Sequence, residues 1–381
     1  MSRSRFGGPP RTFRAFAPRA GLRPRGSQAT PDPVPMSLVL PPSPRICLVM
    51  MSAVGDAVHA LAVVTALKRH DPTCHVTWIL QPGPASLVRG HPAVDEIVPF
   101  ERSGGWRAYG AFRRRMAGRR FDLVIDLQVY FKASVVTALL DAPVKLGFDR
   151  ARARDLNWLV TTHRIPPHPP QHVQDQYFEF LDYLGVPWEP VEWGLGPWEH
   201  ERAKQREFLA SLDRPAASLV IGASDPRKEW LPERWAELCD VLADRFGLRP
   251  VLAGGRSPRE LDTERRIREL ARTEVVSTLG IPFRELVGVL DASALVVSLD
   301  TGPMHIAVAL DVPTISLVGY TNPRRVGPYR RFHDLMVDAY GDPGEDYPVS
   351  TLKRTGRTER ITVEEVVARV ETWERRYRGA A

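Results

Sequence analysis

Cysteine is scarce in this 381-residue chain. The three thiols, Cys47, Cys74 and Cys239, are scattered and odd in number. That argues against a disulfide framework and for a reducing compartment, which points to the cytoplasm. None has a second Cys or His at metal-ligand spacing, so buried structural thiols are expected. Also missing is any apolar run approaching the roughly 20 residues that span a bilayer. The chain is not expected to cross a membrane, although it has room to work at the surface of one. Acidic residues are nearly absent from the first 44 positions, which hold seven arginines, ten prolines and one acid, Asp32. Most of the formal net charge of +7 therefore sits in that segment. The rest is close to neutral, so the sequence gives little reason to expect a nucleic-acid partner. Residues 1–44 show no apolar periodicity and no apolar signal core, and a disordered Arg/Pro-rich tail is expected there.

From Arg45 onward, short apolar runs alternate with helical patterns. RICLVMM at 45–51 reads as a strand buried on both faces, followed by a glycine turn and a helix over 56–70. Further strands are expected at 75–80, 96–100, 121–127 and 143–147. Residues 186–216 break the rhythm with Pro, Gly and Trp and then a polar helix, and read as a linker region. The alternation resumes with strands at 218–222, 249–254, 294–299 and 314–318 and helices at 232–246, 257–273 and 302–310. This predicts α/β architecture from parallel βαβ units in two halves, residues 45–185 and 217–340. Residues 341–381 are expected to hold a long irregular stretch and a final helix. Thr362 and Glu365 form a capping box at its start. That helix is expected to cross back onto the first half.

Ligands of open parallel sheets bind beyond the carboxyl ends of the strands, and the polar residues there are the site candidates. Asp300-Thr301-Gly302 runs from a strand straight into a helix whose free N–H groups suit a diphosphate; the plainer reading is a helix cap. Lys228, in a strand-end loop, has the charge to balance that diphosphate, or is ordinary solvated surface. Asp56, at a helix N-terminus where the dipole favours the carboxylate, is either a general base or a stabilising helix acid. His59 and His305 read first as packing histidines. Residues 102–120 concentrate seven arginines around Trp106, Tyr109 and Phe112. They form either a solvated helix face or a cradle for an anionic ligand. The first turn holds only Gly55 where a dinucleotide-dependent dehydrogenase needs GxGxxG, and no convincing Asp-x-Asp metal site follows a strand.

Taken in order, SAVGDAVHALAVVTAL, GHPAVDEIV, FDLVIDLQVYFKAS, GFDRARARD, GASDPRKEWLPERWAEL, VLAGG and SLDTGPMHIAVALDVPTISLVG resemble the glycosyltransferase family nine heptosyltransferases of lipopolysaccharide core synthesis, over roughly residues 45–330. The resemblance implies a GT-B fold, two facing Rossmann-like domains, and inverting, metal-independent transfer of heptose from ADP-heptose without a cofactor. It implies Asp56 as the general base. Ser224, Lys228, Asp300, Thr301, Gly302 and His305 would form the donor site. Arg113, Arg114, Arg115, Arg120, Lys132, Arg150 and Arg154 would meet the carboxylates and phosphates of an anionic glycolipid acceptor, of the Kdo–lipid A type, at the cytoplasmic face of the inner membrane. Tyr320 and Asn322 depart from the family's GPTDP turn, with an expected effect on the nucleotide or sugar pocket. A transferase of the same fold with another donor or acceptor, and a non-catalytic carbohydrate-binding descendant, are the alternatives.

Overall fold

A computed structural model describes residue 38 and residues 40–379. The tail expected over residues 1–44 lies outside them, except for Leu38 and residues 40–44. The first half runs β1 (Arg45–Val49), α1 (Val54–His70), β2 (His75–Leu80), α2 (Pro82–Val88), β3 (Glu96–Pro99), α3 (Gly105–Met116), β4 (Leu123–Asp126), α4 (Phe131–Leu139), β5 (Val144–Gly147), β6 (His163–Arg164) and α5 (Val173–Leu184). The second runs α6 (Arg202–Ala210), β7 (Ala216–Val220), α7 (Pro232–Phe246), β8 (Arg249–Ala253), α8 (Pro258–Leu270), β9 (Val276–Ser277), α9 (Phe283–Asp291), β10 (Leu295–Leu299), α10 (Gly302–Ala309), β11 (Thr314–Val318), α11 (Pro323–Val326), β12 (Val337–Asp338) and α12 (Val363–Arg376).

Each half builds one six-stranded parallel sheet. The orders are β3-β2-β1-β4-β5-β6 and β12-β11-β10-β7-β8-β9. Both are the doubly wound order, in which the chain starts at a central strand and reverses direction beside it. The central strands carry continuous apolar runs because helices cover both faces: Cys47, Leu48 and Val49 in β1 and Leu295, Val296 and Val297 in β10 are fully buried. All three cysteines are free and buried. Among the described residues no helix is long and apolar enough to cross a membrane.

Two expectations about where the halves begin and end are corrected. α12 does not cross back to the first half. Its stripe of Val366, Val370 and Trp373 is buried in the second half's core with Trp235, Leu238, Leu317 and Val337. The Trp373 indole N–H also donates to the Ala294 carbonyl at 3.0 Å. An apolar stripe packs on the nearest uncovered apolar face, which is that of α7 and β11. The capping box forms as expected, with the Glu365 carboxylate accepting from the Thr362 N–H at 2.8 Å. The linker is also shorter than residues 186–216, because α6 packs on α9 and belongs to the second half.

Candidate active site

The halves meet where α1 and α10 touch, at the carboxyl ends of β1 and β10. Glycine makes the approach possible. A Cβ on Gly302 would stand 2.8 Å from the Val54 Cβ, closer than side chains pack. His59, His172 and His305 cluster at this seam. The His59 ring lies 4.5 Å from His305 and 5.6 Å from His172, both edge-on. His59 is held through Nδ1 by the Gln174 side chain at 2.9 Å, and His172 Nε2 donates to the Gly327 carbonyl at 3.0 Å. Burial pushes all three histidines down, His172 and His305 to about 3, so the cluster is neutral near pH 7. His59 and His305 also line the larger of the cavities that open here.

Two cavities open at the seam. The larger, about 680 Å³, lies mainly against the second half and is lined by Ser224, Lys228, Asp300, Thr301, Gly302 and His305, all six donor-site expectations, with Glu260 and Thr321. Lys228 Nζ donates to the Asp300 carbonyl at 2.7 Å and to its carboxylate at 2.8 Å. Thr321 Oγ1 donates to that same carboxylate. The Asp300 side chain therefore does not cap α10, and Thr301 makes no side-chain cap either. Within that first turn Pro303 has no N–H and the Met304 N–H donates to the Thr301 carbonyl at 3.1 Å, so Gly302 supplies the backbone N–H left for a ligand.

The second cavity, about 560 Å³, lies mainly against the first half and is lined by Gln128, Tyr130, Arg152, Arg154, Gln176 and Tyr177, with Arg325 and residues 349–351 from the second half. Asp56 lines both cavities. Its carboxylate accepts from the Ala53 N–H at 2.9 Å and lies 3.5 Å from the Tyr177 hydroxyl. Burial raises its pKa above the usual carboxylate value; the Ala53 bond, Arg325, Tyr177 and Lys132 oppose that rise. Burial thus outweighs the helix N-terminus, which alone would have held the acid low. Gln128 fixes the turn leading to Asp56. Its Oε1 accepts from the Met51 N–H at 2.9 Å and its amide donates to the Ser52 carbonyl.

The acceptor-side candidates divide. Arg154 lines the second cavity. Lys132 reaches the Asp56 turn, donating to Ser52 Oγ at 3.0 Å. Arg150 lies over the Trp158 ring at 5.5 Å and does not line the cavity. Arg113, Arg114, Arg115 and Arg120 line neither cavity. α3 turns Phe112 and Met116 into the core and leaves those arginines exposed. Tyr320 and Asn322 do not line the donor-side cavity. Tyr320 is buried under the Arg227 guanidinium, 4.7 Å from its ring centre. Asn322 donates to the Pro348 carbonyl at 2.8 Å, holding the irregular segment that walls the second cavity. Sequence reasoning missed Arg325 and Tyr177, which lie outside the motifs it used, and within GFDRARARD it chose Arg150 and Arg154 but passed over Arg152.

Comparison with known proteins bears on the family of the chain. The model for glycosyltransferase family 9 (heptosyltransferase) matches residues 109–341. The chain is 29% identical over 337 residues to the lipopolysaccharide core heptosyltransferase OpsX of Haemophilus influenzae, covering 85% of this chain and 95% of that one. It is 31% identical over 334 residues to lipopolysaccharide heptosyltransferase 1 of Pseudomonas aeruginosa, covering 82% and 87%. The solved E. coli heptosyltransferase WaaC with ADP-2-deoxy-2-fluoro heptose matches with a TM-score of 0.68 at 25% identity, over 86% of this chain and 99% of that one. A family match over well more than half of the sequence, joined to relatives aligned along most of both chains, makes this protein a member of glycosyltransferase family 9 and so a glycosyltransferase.

Proposed function

We propose that the chain transfers heptose from ADP-heptose to an anionic lipopolysaccharide core acceptor of the Kdo–lipid A kind, by one inverting displacement with Asp56 as general base. The observation that carries this reading is the position of Asp56 on the shared wall of the two cavities. The donor's diphosphate would lie at the first turn of α10 beside Lys228, and the acceptor in the cavity of Arg154. Asp56 takes the proton of the acceptor hydroxyl as its oxygen bonds to the anomeric carbon of heptose. The bond from that carbon to the diphosphate oxygen breaks, and ADP leaves with the electron pair. The proton stays on Asp56 until solvent removes it. Lys228 and the Gly302 N–H at the start of α10 stabilise the charge that develops on the leaving diphosphate. The WaaC complex with an ADP-heptose analogue supports this donor class, and the names of the curated relatives support this acceptor class.

The lipid end of such an acceptor lies in a membrane, and we place the enzyme peripherally at its cytoplasmic face. Trp106, exposed on α3 among its arginines, and exposed Phe131 and Leu159 support that placement. Calorimetric titration with ADP, UDP and GDP, then a transfer assay with ADP-heptose and a Kdo-bearing acceptor, tests the proposal. Selective ADP binding with heptose transfer is expected. Preference for UDP or GDP would retain the fold and the base but replace the donor.

A further inference from the structure

The acceptor-side cavity has an unusual charge balance. Asp56 is its one carboxylate, while three guanidiniums line it: Arg152, Arg154 and Arg325. Arg152 is already answered, because Glu179 accepts from it at 2.6 and 2.8 Å and Asp149 pairs with its Nε. Arg154 and Arg325 have no side-chain hydrogen bond or ion pair among the described residues. Arg154 is exposed and loses little by standing alone. Arg325 is half-buried, and a guanidinium removed from water without an acceptor is costly unless a ligand supplies one.

Arg325 is also held where it stands. It sits on the single turn of α11, whose Asn322 cap accepts from the Arg324 N–H at 3.0 Å and ties the turn to Pro348 and Ser350. From the other side, His172 of the first half donates to Gly327 just after that turn. The neighbouring Arg324 points away and pairs with Asp346 at 2.7 Å, leaving Arg325 alone at the cavity. A planar fork of five donors fixed beside a single base recognises a carboxylate or phosphate at short range from the hydroxyl that base serves.

Resting on the proposed function, we propose that Arg325, from the donor-side half, binds an anionic group of the acceptor, a carboxylate carried on the same sugar as the attacked hydroxyl. It recognises the acceptor across the cleft, while Arg154 meets it from the first half. Acceptor binding then bridges the two halves at the seam, and a neutral acceptor loses the contact that aligns its hydroxyl with Asp56.

The test pairs two acceptors, a soluble Kdo glycoside bearing its free carboxylate and the corresponding methyl ester, with wild type, Arg325→Ala and Arg325→Lys. Wild type is expected to prefer the carboxylate by about 10- to 100-fold in kcat/KM, the range set by one charge-assisted contact. Arg325→Ala should raise the acceptor KM by a similar factor, leave the ADP-heptose KM within about twofold and abolish the preference. Arg325→Lys should restore part of it, because a point charge replaces the fork. A variant that still distinguishes carboxylate from ester as well as wild type overturns the proposal, as does a loss confined to kcat. Calorimetric titration with the same pair judges Arg325 without turnover. Absence of transfer by wild type together with carboxylate-selective binding lost in Arg325→Ala refutes the function while upholding Arg325. Equal affinity for the two acceptors, or no binding of either, refutes Arg325.

Discussion

Gly55 and His305 belong to opposite halves of the molecule, yet a Cβ on Gly55 would lie 2.7 Å from the His305 Cδ2. The first helix of one half is pressed against the imidazole of the other with no room for a methyl group. Gly55→Ala should wedge the seam open. Overpacking of this kind costs about 1–3 kcal/mol, and the expected result is a lower Tm together with reduced kcat/KM. Because the clash is with one ring, Gly55→Ala combined with His305→Ala should recover most of the Tm lost to the glycine change. A thermal double-mutant cycle with strictly additive losses would place the strain elsewhere.

Asp56→Ala should lower kcat by about 10²- to 10⁴-fold with ADP affinity nearly unchanged, read by steady-state kinetics beside calorimetry. Since burial raises the Asp56 pKa, the base is lost sooner on acidification than an ordinary carboxylate would be. The acid limb of kcat/KM should therefore fall at a pH above 3.8. An Asp56→Ala enzyme with the wild-type rate removes it as the base.

Lys228→Ala should weaken ADP binding by about 10- to 100-fold, the loss of a charge-assisted contact, and should leave the Asp300 carboxylate bonded to Thr321 without its cation. Calorimetry with ADP reads this directly, and equal affinity in the two proteins removes Lys228 from the donor site.

The histidine seam predicts a pH dependence of stability. In the folded protein His172 and His305 are held at about 3, while an unfolded histidine titrates near 6.5. Below about pH 6.5 the unfolded chain takes up protons that the folded one refuses, so stability falls as pH drops from 6.5 toward 3. Buried Asp126, raised to about 6, acts in the opposite direction over part of that range. The comparison of Tm against pH for wild type and His305→Asn isolates the histidine contribution. The variant should lose less Tm between pH 7 and 4.5, and parallel curves would count against the seam as the source.

The exposed arginines of α3 predict surface binding. Arg113→Glu, Arg114→Glu and Arg115→Glu together should reduce cosedimentation with phosphatidylglycerol vesicles and weaken its salt dependence, while ADP affinity stays unchanged. Unaltered vesicle binding would assign α3 to ordinary solvated surface.

Much of the donor side was legible in the sequence because parallel sheets impose a rule: polar residues just after a strand face the ligand. Asp56, Lys228 and Asp300 all follow it. The edge strands β6, β9 and β12 are two residues long and leave no pattern to read. The acceptor side was harder. The α3 arginines advertise themselves by composition, but composition does not say which way a helix faces, and Phe112 and Met116 turn it away from the cleft. Arg325 gave the opposite trouble: one arginine in an Arg-rich stretch, with a role that depends on Asn322 and His172 from distant segments. The destination of α12 was hidden for a related reason. Periodicity identifies the stripe of Val366, Val370 and Trp373 but not the surface that receives it.

The clasp of Lys228 by Asp300, whose carboxylate Thr321 also holds, has a consequence for selectivity in a phosphate-rich fluid. The ammonium that would receive the donor already has an internal rival, tethered in place and so present at high effective concentration. A free phosphate ion meeting that rival alone gains little by displacing it. A long ligand that also grips the cleft elsewhere can draw on those other contacts and take the ammonium over. If Lys228 serves the proposed donor site, the clasp would then act as a filter against small anions, favouring a molecule long enough to span the pocket.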